Sequence, residues 1–188
     1  MSRLRSPSLL LAIPATLITQ AAWADLTPAQ VWGDWRDYME NMGYTVEAEE
    51  RASGDTLTVS DVTMRMQMPE DGGSFSMSMG TLTFVQQDNG AVDIRMPEKM
   101  PMAIDVAPEG PGDEPVSMVL TYGQSGPLLT ASGTPEALQY DYAAETISLT
   151  LAGLKIGEES YGEDQARFSL IGTDVRSRTE MKVDDQRS

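Results

Sequence analysis

The chain has 188 residues, of which 29 are acidic and 13 basic, and its formal net charge is −16. A surface this acidic repels phosphate groups, which excludes nucleic acid as a partner. The chain also has no cysteine and no histidine. Disulfides, Cys–His and Ser–His nucleophiles, and zinc sites with sulfur or imidazole ligands are therefore excluded.

The N-terminal segment has the features of an export signal. Arg3 and Arg5 form a basic start, an apolar run follows, and Ala22-Trp23-Ala24 is a small-x-small cleavage site. The apolar run is shorter than the roughly 20 residues that a membrane-spanning helix needs. We therefore predict that residues 1–24 are a cleaved signal peptide and that residues 25–188 are a single β-rich domain, periplasmic or secreted, without a transmembrane segment.

A helix is predicted from Pro28 to about Met42. Thr27 and Gln30 form a T-x-x-Q capping box, proline occupies the first helical position, and Gly43 is a C-terminal stop. Apolar residues recur at helical spacing on one face: Val31, Trp32, Trp35, Tyr38, Met39 and Met42. We expect this face, with Trp32, Trp35 and Met39, to cover a sheet; the alternative is a movable lid over a ligand groove.

The longest alternation of apolar and polar residues lies between Thr56 and Phe84. A Pro-Glu-Asp-Gly-Gly turn at 69–73 divides it, so the two halves are predicted to pair as an antiparallel hairpin. Pairing about this turn places methionines side by side: Met68 beside Phe75, Met66 beside Met77 and Met64 beside Met79.

Each half of this hairpin changes phase midway, at Ser60-Asp61 and at Gly80-Thr81. Bulges at matched levels would keep one face buried and bend the ribbon. A similar pattern with a phase change recurs at residues 149–156 and 168–175. These features predict a mainly β fold: a long curved antiparallel meander of about ten strands with bulges, preceded by one N-terminal amphipathic helix.

Turn signals divide the rest of the chain. Asp88-Asn89-Gly90 predicts a tight hairpin turn. Pro97 and Pro101 are predicted to interrupt the next strand, and residues 123–127 to form another turn. Separate strands are predicted at residues 128–132, 138–142, 147–156 and 166–175.

The stretch Asp25-Leu-Thr-Pro-Ala-Gln-Val-Trp-Gly-Asp-Trp-Arg-Asp-Tyr-Met-Glu-Asn-Met-Gly-Tyr44, followed by Ser53-Gly-Asp-Thr-Leu-Thr-Val-Ser-Asp-Val62, resembles exported alphaproteobacterial proteins catalogued as domain of unknown function 2125. The resemblance covers about the first third of the chain and implies an envelope location and a β-rich architecture. That family has no established activity, so the resemblance implies no site residue. It also implies a longer protein, of which this chain would be the N-terminal part. The strand-and-bend pattern is more weakly similar to envelope β-groove proteins that carry lipids between bacterial membranes.

Eight of the 13 methionines lie between Met64 and Met102. Residues i and i+2 of a strand share a face, so the Met-x-Met pairs in this stretch bring thioethers together. Three interpretations remain open: plain core, a pliable apolar binding surface, or a Cu(I) site, since soft sulfur suits cuprous ions. The candidate ligand-binding residues are Met64, Met66, Met77, Met79, Leu82, Phe84 and Ile94. The candidate metal ligands, on the copper alternative only, are Met64, Met66, Met68, Met77 and Met79.

The clusters of acidic residues carry no further chemistry. Those around residues 47–50, 113–114 and 158–164 lack the spacing of a calcium loop. No acid pair is flanked by the aromatic residues expected of a glycosidase. We therefore predict a non-enzymatic exported envelope protein without a cofactor, which binds a lipid, another apolar ligand or an apolar partner segment on a methionine-rich sheet face. The alternatives are a periplasmic Cu(I)-binding protein and an enzyme of unfamiliar chemistry.

Overall fold

The structure, a computed structural model, describes residues 25–68, 72–107, 110, 112–162 and 164–182. The predicted signal peptide, most of the predicted turn at 69–73 and the polar end from residue 183 lie outside these residues. The elements are α1 (Pro28–Asn41), β1 (Thr45–Ser53), β2 (Thr56–Met68), β3 (Gly73–Gln86), β4 (Val92–Arg95), β5 (Lys99–Val106), β6 (Val116–Ser125), β7 (Leu128–Thr134), β8 (Ala137–Ile156), β9 (Glu159–Tyr161) and β10 (Ser169–Lys182). The prediction of a mainly β chain after one helix is confirmed. Within the described ranges, no helix is long and apolar enough to cross a membrane.

Helix α1 has the ends that its capping residues predict. The Thr27 hydroxyl accepts a hydrogen bond from the Gln30 amide at 3.3 Å, and the Gln30 side chain accepts one from the Thr27 amide at 2.9 Å. Gly43 follows the C-cap with a φ of +92°, a conformation that glycine adopts without strain. Both ends are therefore determined by local sequence.

The buried stripe of α1 is narrower than predicted. Val31, Trp32 and Met39 are buried, and Trp35 is half-buried. Tyr38 and Met42, which the spacing assigned to the same face, are 49% and 55% exposed. Tyr38 and Met42 therefore lie outside the buried stripe, although Met39 between them remains buried.

The ten strands form one antiparallel sheet. β4 and β5 pair with successive parts of β3, and β7 and β6 pair with successive parts of β8. β4 and β5 are thus one long strand interrupted around Pro97, and β6 and β7 are one strand interrupted at Gly126-Pro127. The sheet is a simple meander of seven long strands, with the short β9 paired to β8 beyond β10.

Three predicted boundaries are wrong. Pro101 lies inside β5 and does not end the strand. The pairing of β5 with β3 extends only to Met102, so Pro101 interrupts no hydrogen bond between these two strands. Residues 123–125 continue β6, so the predicted turn at 123–127 is only a short interruption of a strand. The two strands predicted between 138 and 156 are one strand, β8, because no glycine or proline separates them.

The register of the methionine hairpin also differs from the prediction. Met68 pairs with Gly73, Met66 with Phe75 and Met64 with Met77. The pairing of β2 with β3 therefore begins at Gly73, two residues earlier in β3 than the predicted pairing assumed. Because the difference is two residues, the same side chains still share a face.

The predicted bulges are confirmed. The register of β2 and β3 shifts on both sides of Val62, where Asp61 has a φ of +54° and Gly80 a φ of +62°. The recurring pattern at 168–175 contains a second aspartate of this kind, Asp174, with a φ of +51°. The pattern at 149–156 lies where the β6–β8 register shifts, opposite Val119. The repeated phase change therefore marks repeated bends of the sheet.

The core lies between α1 and one end of the sheet. Trp32 lies 5.8 Å from the ring of Phe84 and donates its indole N–H to Glu50 of β1 at 2.7 Å. Two residues later, Asp34 accepts a hydrogen bond from the Tyr140 hydroxyl of β8 at 3.3 Å. In a flat sheet β1 and β8 would lie about 24 Å apart, so the sheet must curl around the helix at this end.

Candidate apolar binding face

The half of the sheet beyond α1 has an apolar surface built from transverse rows of side chains. Residues directly opposite each other on antiparallel strands share a face. One row is Val46, Met64, Met77, Met102, Leu120 and Leu151. The next is Met66, Phe75, Ile104, Met118 and Leu154, and a shorter third is Val106, Val116 and Ile156. We call these three rows the distal face.

The side chains of the distal face are half-buried, whereas those beneath α1 are buried. Val46, Met64 and Met77 pack against the margin of the core. Tyr44 contacts the edge of the Phe75 ring, with the ring centroids 6.0 Å apart. The distal face is therefore continuous with the core but remains accessible to solvent.

The opposite face of the same strands is mainly polar. One of its rows is Arg65, Ser76, Ala103 and Val119. The next row is Gln67, Ser74, Asp105, Ser117 and Lys155. Asp105 accepts hydrogen bonds from Ser117 at 2.6 Å and from Ser74 at 3.4 Å. The apolar surface is therefore confined to one side of the sheet, as expected when that side is packed or bound to something apolar.

A polar cluster around the buried side chain of Gln124 lies at the break between β4 and β5. Gln124, 5% exposed, donates its amide to the Pro97 carbonyl at 2.8 Å and accepts from the Tyr142 hydroxyl at 2.9 Å. The Tyr122 hydroxyl lies 3.3 Å from that of Tyr142. Burial, and then the Tyr122 hydrogen bond, raise the pKa of Tyr142. The cluster also supplies a hydrogen bond to the Pro97 carbonyl at the break between β4 and β5.

The structure divides the predicted ligand-binding residues into two groups. Met64, Met66 and Met77 lie on the distal face. Met79, Leu82, Phe84 and Ile94 are no more than 8% exposed and belong to the core. Because the second group is buried in the core, these residues are not part of the candidate site.

Sequence reasoning missed the contributions of β5, β6 and β8 to the distal face. The alternation of apolar and polar residues in these strands identifies which side chains share a face. It does not determine the register in which each strand pairs with its neighbours. The residues missed are Met102, Ile104, Val106, Val116, Met118, Leu120, Leu151, Leu154 and Ile156.

The proposed copper ligands are not assembled as predicted. Met79 is buried, Met68 lies opposite Gly73, and Met66 lies in the row beyond Met64. The first row instead aligns Met64, Met77 and Met102 on three neighbouring strands. Three thioethers are thus adjacent. No cluster of three or more acidic residues that could hold a metal occurs within the described residues.

The fold and the distal face define a class of protein: a curled antiparallel meander with one covering helix and a one-sided apolar surface. No family model matches the chain, and no curated protein or solved structure is detectably similar to it. The resemblance to domain of unknown function 2125 thus stays a prediction, which rests on the motif at residues 25–62.

Proposed function

We propose that the protein is a non-enzymatic envelope protein whose distal face binds an apolar ligand such as the acyl chain of a lipid. The observation that carries the proposal is the unbroken apolar surface, which crosses from β1 to β8 without a polar side chain in any of its three rows. Measured along the sheet, the first row is about 24 Å long, a length that suits an extended acyl chain.

The composition of the distal face supports a binding surface that adapts to its ligand. Met64, Met66, Met77, Met102 and Met118 all belong to it. Methionine side chains are flexible and polarizable, and they recur at surfaces that accommodate varied apolar partners. Covering the face would release its apolar area from water at about 25 cal/mol per Å². The net charge of −16 opposes capture through an anionic headgroup, so the apolar chain itself would supply the affinity.

Two neighbouring residues of β6 provide a matched test. Met118 lies on the distal face, and Val119, 44% exposed, lies on the opposite face. Met118→Glu should weaken binding of a fluorescent fatty acid at least tenfold, because an unpaired carboxylate in an apolar site costs more than about 1.4 kcal/mol. Val119→Glu adds the same charge to the other side and should leave the affinity within about twofold.

Fluorescence titration gives the affinities, and native mass spectrometry after gentle purification detects co-purified lipid. Equal losses in the two variants would place the ligand elsewhere. If the protein neither binds the fatty acid nor carries a lipid, the proposed function is wrong.

The row of Met64, Met77 and Met102 favours a second candidate function, Cu(I) binding by three thioethers. Met77→Leu removes the central sulfur while keeping the volume, at a cost of less than about 1.5 kcal/mol. Competition with a chromogenic cuprous chelator should then show loss of binding, and the exposed Met42→Leu is the control. Unchanged competition by the Met77→Leu protein would exclude this site. Fatty-acid binding by the same variant should persist, which separates the two functions.

A further inference from the structure

A second candidate site lies on the polar face of the sheet, on the side opposite the distal face. It is an open pocket with a cavity volume of about 760 Å³, over β5, β6, β8 and the start of β10. Small-molecule sites commonly have volumes of about 300–1,000 Å³. Among the residues that line it, Leu151 alone also belongs to the distal face, where the apolar ligand proposed above would bind.

The floor of the pocket is a ladder of hydroxyl groups. Thr121, Thr150 and Ser169 lie directly opposite one another on β6, β8 and β10. The Thr150 hydroxyl donates to the Thr121 carbonyl at 3.5 Å. The side chains of Thr121, Ser148 and Ser169 make no hydrogen bond to any residue that the structure describes. These hydroxyls are therefore available to a ligand.

Gly123 keeps the floor open. It pairs with Ser148, and a Cβ at this position would lie 2.6 Å from the Ser148 hydroxyl oxygen. That separation is shorter than van der Waals contact allows, so any larger residue would push the hydroxyl out of place. The glycine thus preserves both the space and the position of the polar group.

Positive charge lines the pocket of a strongly acidic protein. Lys99 forms no ion pair with any described residue, and Arg167 bonds Asp164 at 3.1 Å. The chain as a whole carries 29 acidic residues and 13 basic ones. Lys99 therefore makes its part of the pocket locally favourable for an anion, whereas the charge of Arg167 is balanced by Asp164.

An exposed aromatic ring stands at the rim. Phe168 lines the pocket and is 50% exposed, and Ile171, 65% exposed, follows on β10 beside Ser148. A saccharide combines an apolar ring face, which stacks on an aromatic side chain, with hydroxyls that need hydrogen-bonding partners. We propose that this pocket binds an anionic saccharide, with its ring on Phe168, its hydroxyls on the Thr121 ladder and its anionic group beside Lys99.

Isothermal titration calorimetry at low salt tests the proposal with four probes: trigalacturonate, glucose 6-phosphate, maltotriose and inorganic phosphate. At least one of the two anionic sugars should bind, and the preferred one identifies the anion as carboxylate or phosphate. Maltotriose and inorganic phosphate should bind at least about tenfold more weakly, because maltotriose lacks the anionic group and inorganic phosphate lacks the sugar ring and its hydroxyls.

Variants on the polar face locate the site. Thr121→Val keeps the shape of the side chain but removes a hydroxyl, and should weaken binding about fivefold. Lys99→Gln should weaken it by a similar factor and reduce its dependence on salt. The matched controls Thr45→Val and Lys155→Gln lie on the same face outside the pocket and should have no effect.

Circular dichroism melts confirm that each variant is folded. Failure of both anionic sugars to bind would overturn the proposal. So would equal binding of maltotriose or inorganic phosphate, or equal losses in the control variants. Because fatty-acid binding is measured on the opposite face, either site can fail independently of the other.

Discussion

Replacing Trp32 with alanine should lower the free energy of unfolding by about 3–5 kcal/mol. Trp32 is 1% exposed, so the truncation removes a whole buried ring and leaves a cavity between α1 and the sheet. The loss includes the tilted contact with Phe84, since such aromatic pairs contribute about 0.5–1.5 kcal/mol beyond their buried area. It also includes the indole hydrogen bond to Glu50. The result would be a large fraction of a typical stability of about 5–15 kcal/mol.

Trp35 provides the internal comparison. It is half-buried and meets the same Phe84 ring edge-on at 6.2 Å, so Trp35→Ala should cost only about 1–2 kcal/mol. The sequence alone predicted that both tryptophans would lie on the covering face, and the structure buries Trp32 more deeply than Trp35. Trp32→Phe keeps an aromatic ring and should fall between the two alanine variants.

Urea unfolding followed by far-UV circular dichroism measures these differences. With a slope of about 2 kcal/mol per M, the Trp32→Ala midpoint should fall by about 1.5–2.5 M. A midpoint that does not change would show that α1 is a movable lid rather than a packed layer. A larger loss for Trp35→Ala than for Trp32→Ala would refute the burial argument.

Three further predictions concern the sheet. Gln124→Leu should cost about 1–3 kcal/mol in thermal unfolding, because the Pro97 carbonyl and the Tyr142 hydroxyl each lose a partner; an unchanged melting temperature would contradict this. Asp61→Gly should leave the free energy of unfolding in urea nearly unchanged, whereas Asp61→Val should lower it by about 1–2 kcal/mol, because a φ of +54° disfavours β-branched residues. Equal effects of the two substitutions would exclude backbone strain at Asp61. Because burial raises the pKa of Tyr142 in the folded protein, its hydroxyl loses its proton at a lower pH in the unfolded chain than in the folded one. The contribution of Tyr142 to the free energy of unfolding is therefore fully present below about pH 10 and falls as the pH rises further. Tyr142→Phe should reduce the decrease of the urea midpoint above that pH. A pH profile identical to that of the unmodified protein would show that Tyr142 does not cause the decrease.

The features predicted correctly depend on residues close together in the chain. The Thr27–Gln30 capping box determines the start of α1, and Asp88-Asn89-Gly90 forms the turn before β4, where Gly90 has a φ of +80°. The phase changes at Asp61 and Gly80 were visible because a bulge alters the period of the alternation within a single strand.

The sequence by itself determined the fold class, the ends of the helix, the bulges and the side chains that share each face of the sheet. Only the tertiary structure decided which part of the apolar face is core. Met77 and Met79 have the same local pattern, yet Met79 is buried and Met77 lies in the half-buried first row of the distal face. The difference depends on where α1 crosses the sheet and on the level at which the strands meet. Both result from contacts between residues distant in the chain, which alternation does not encode.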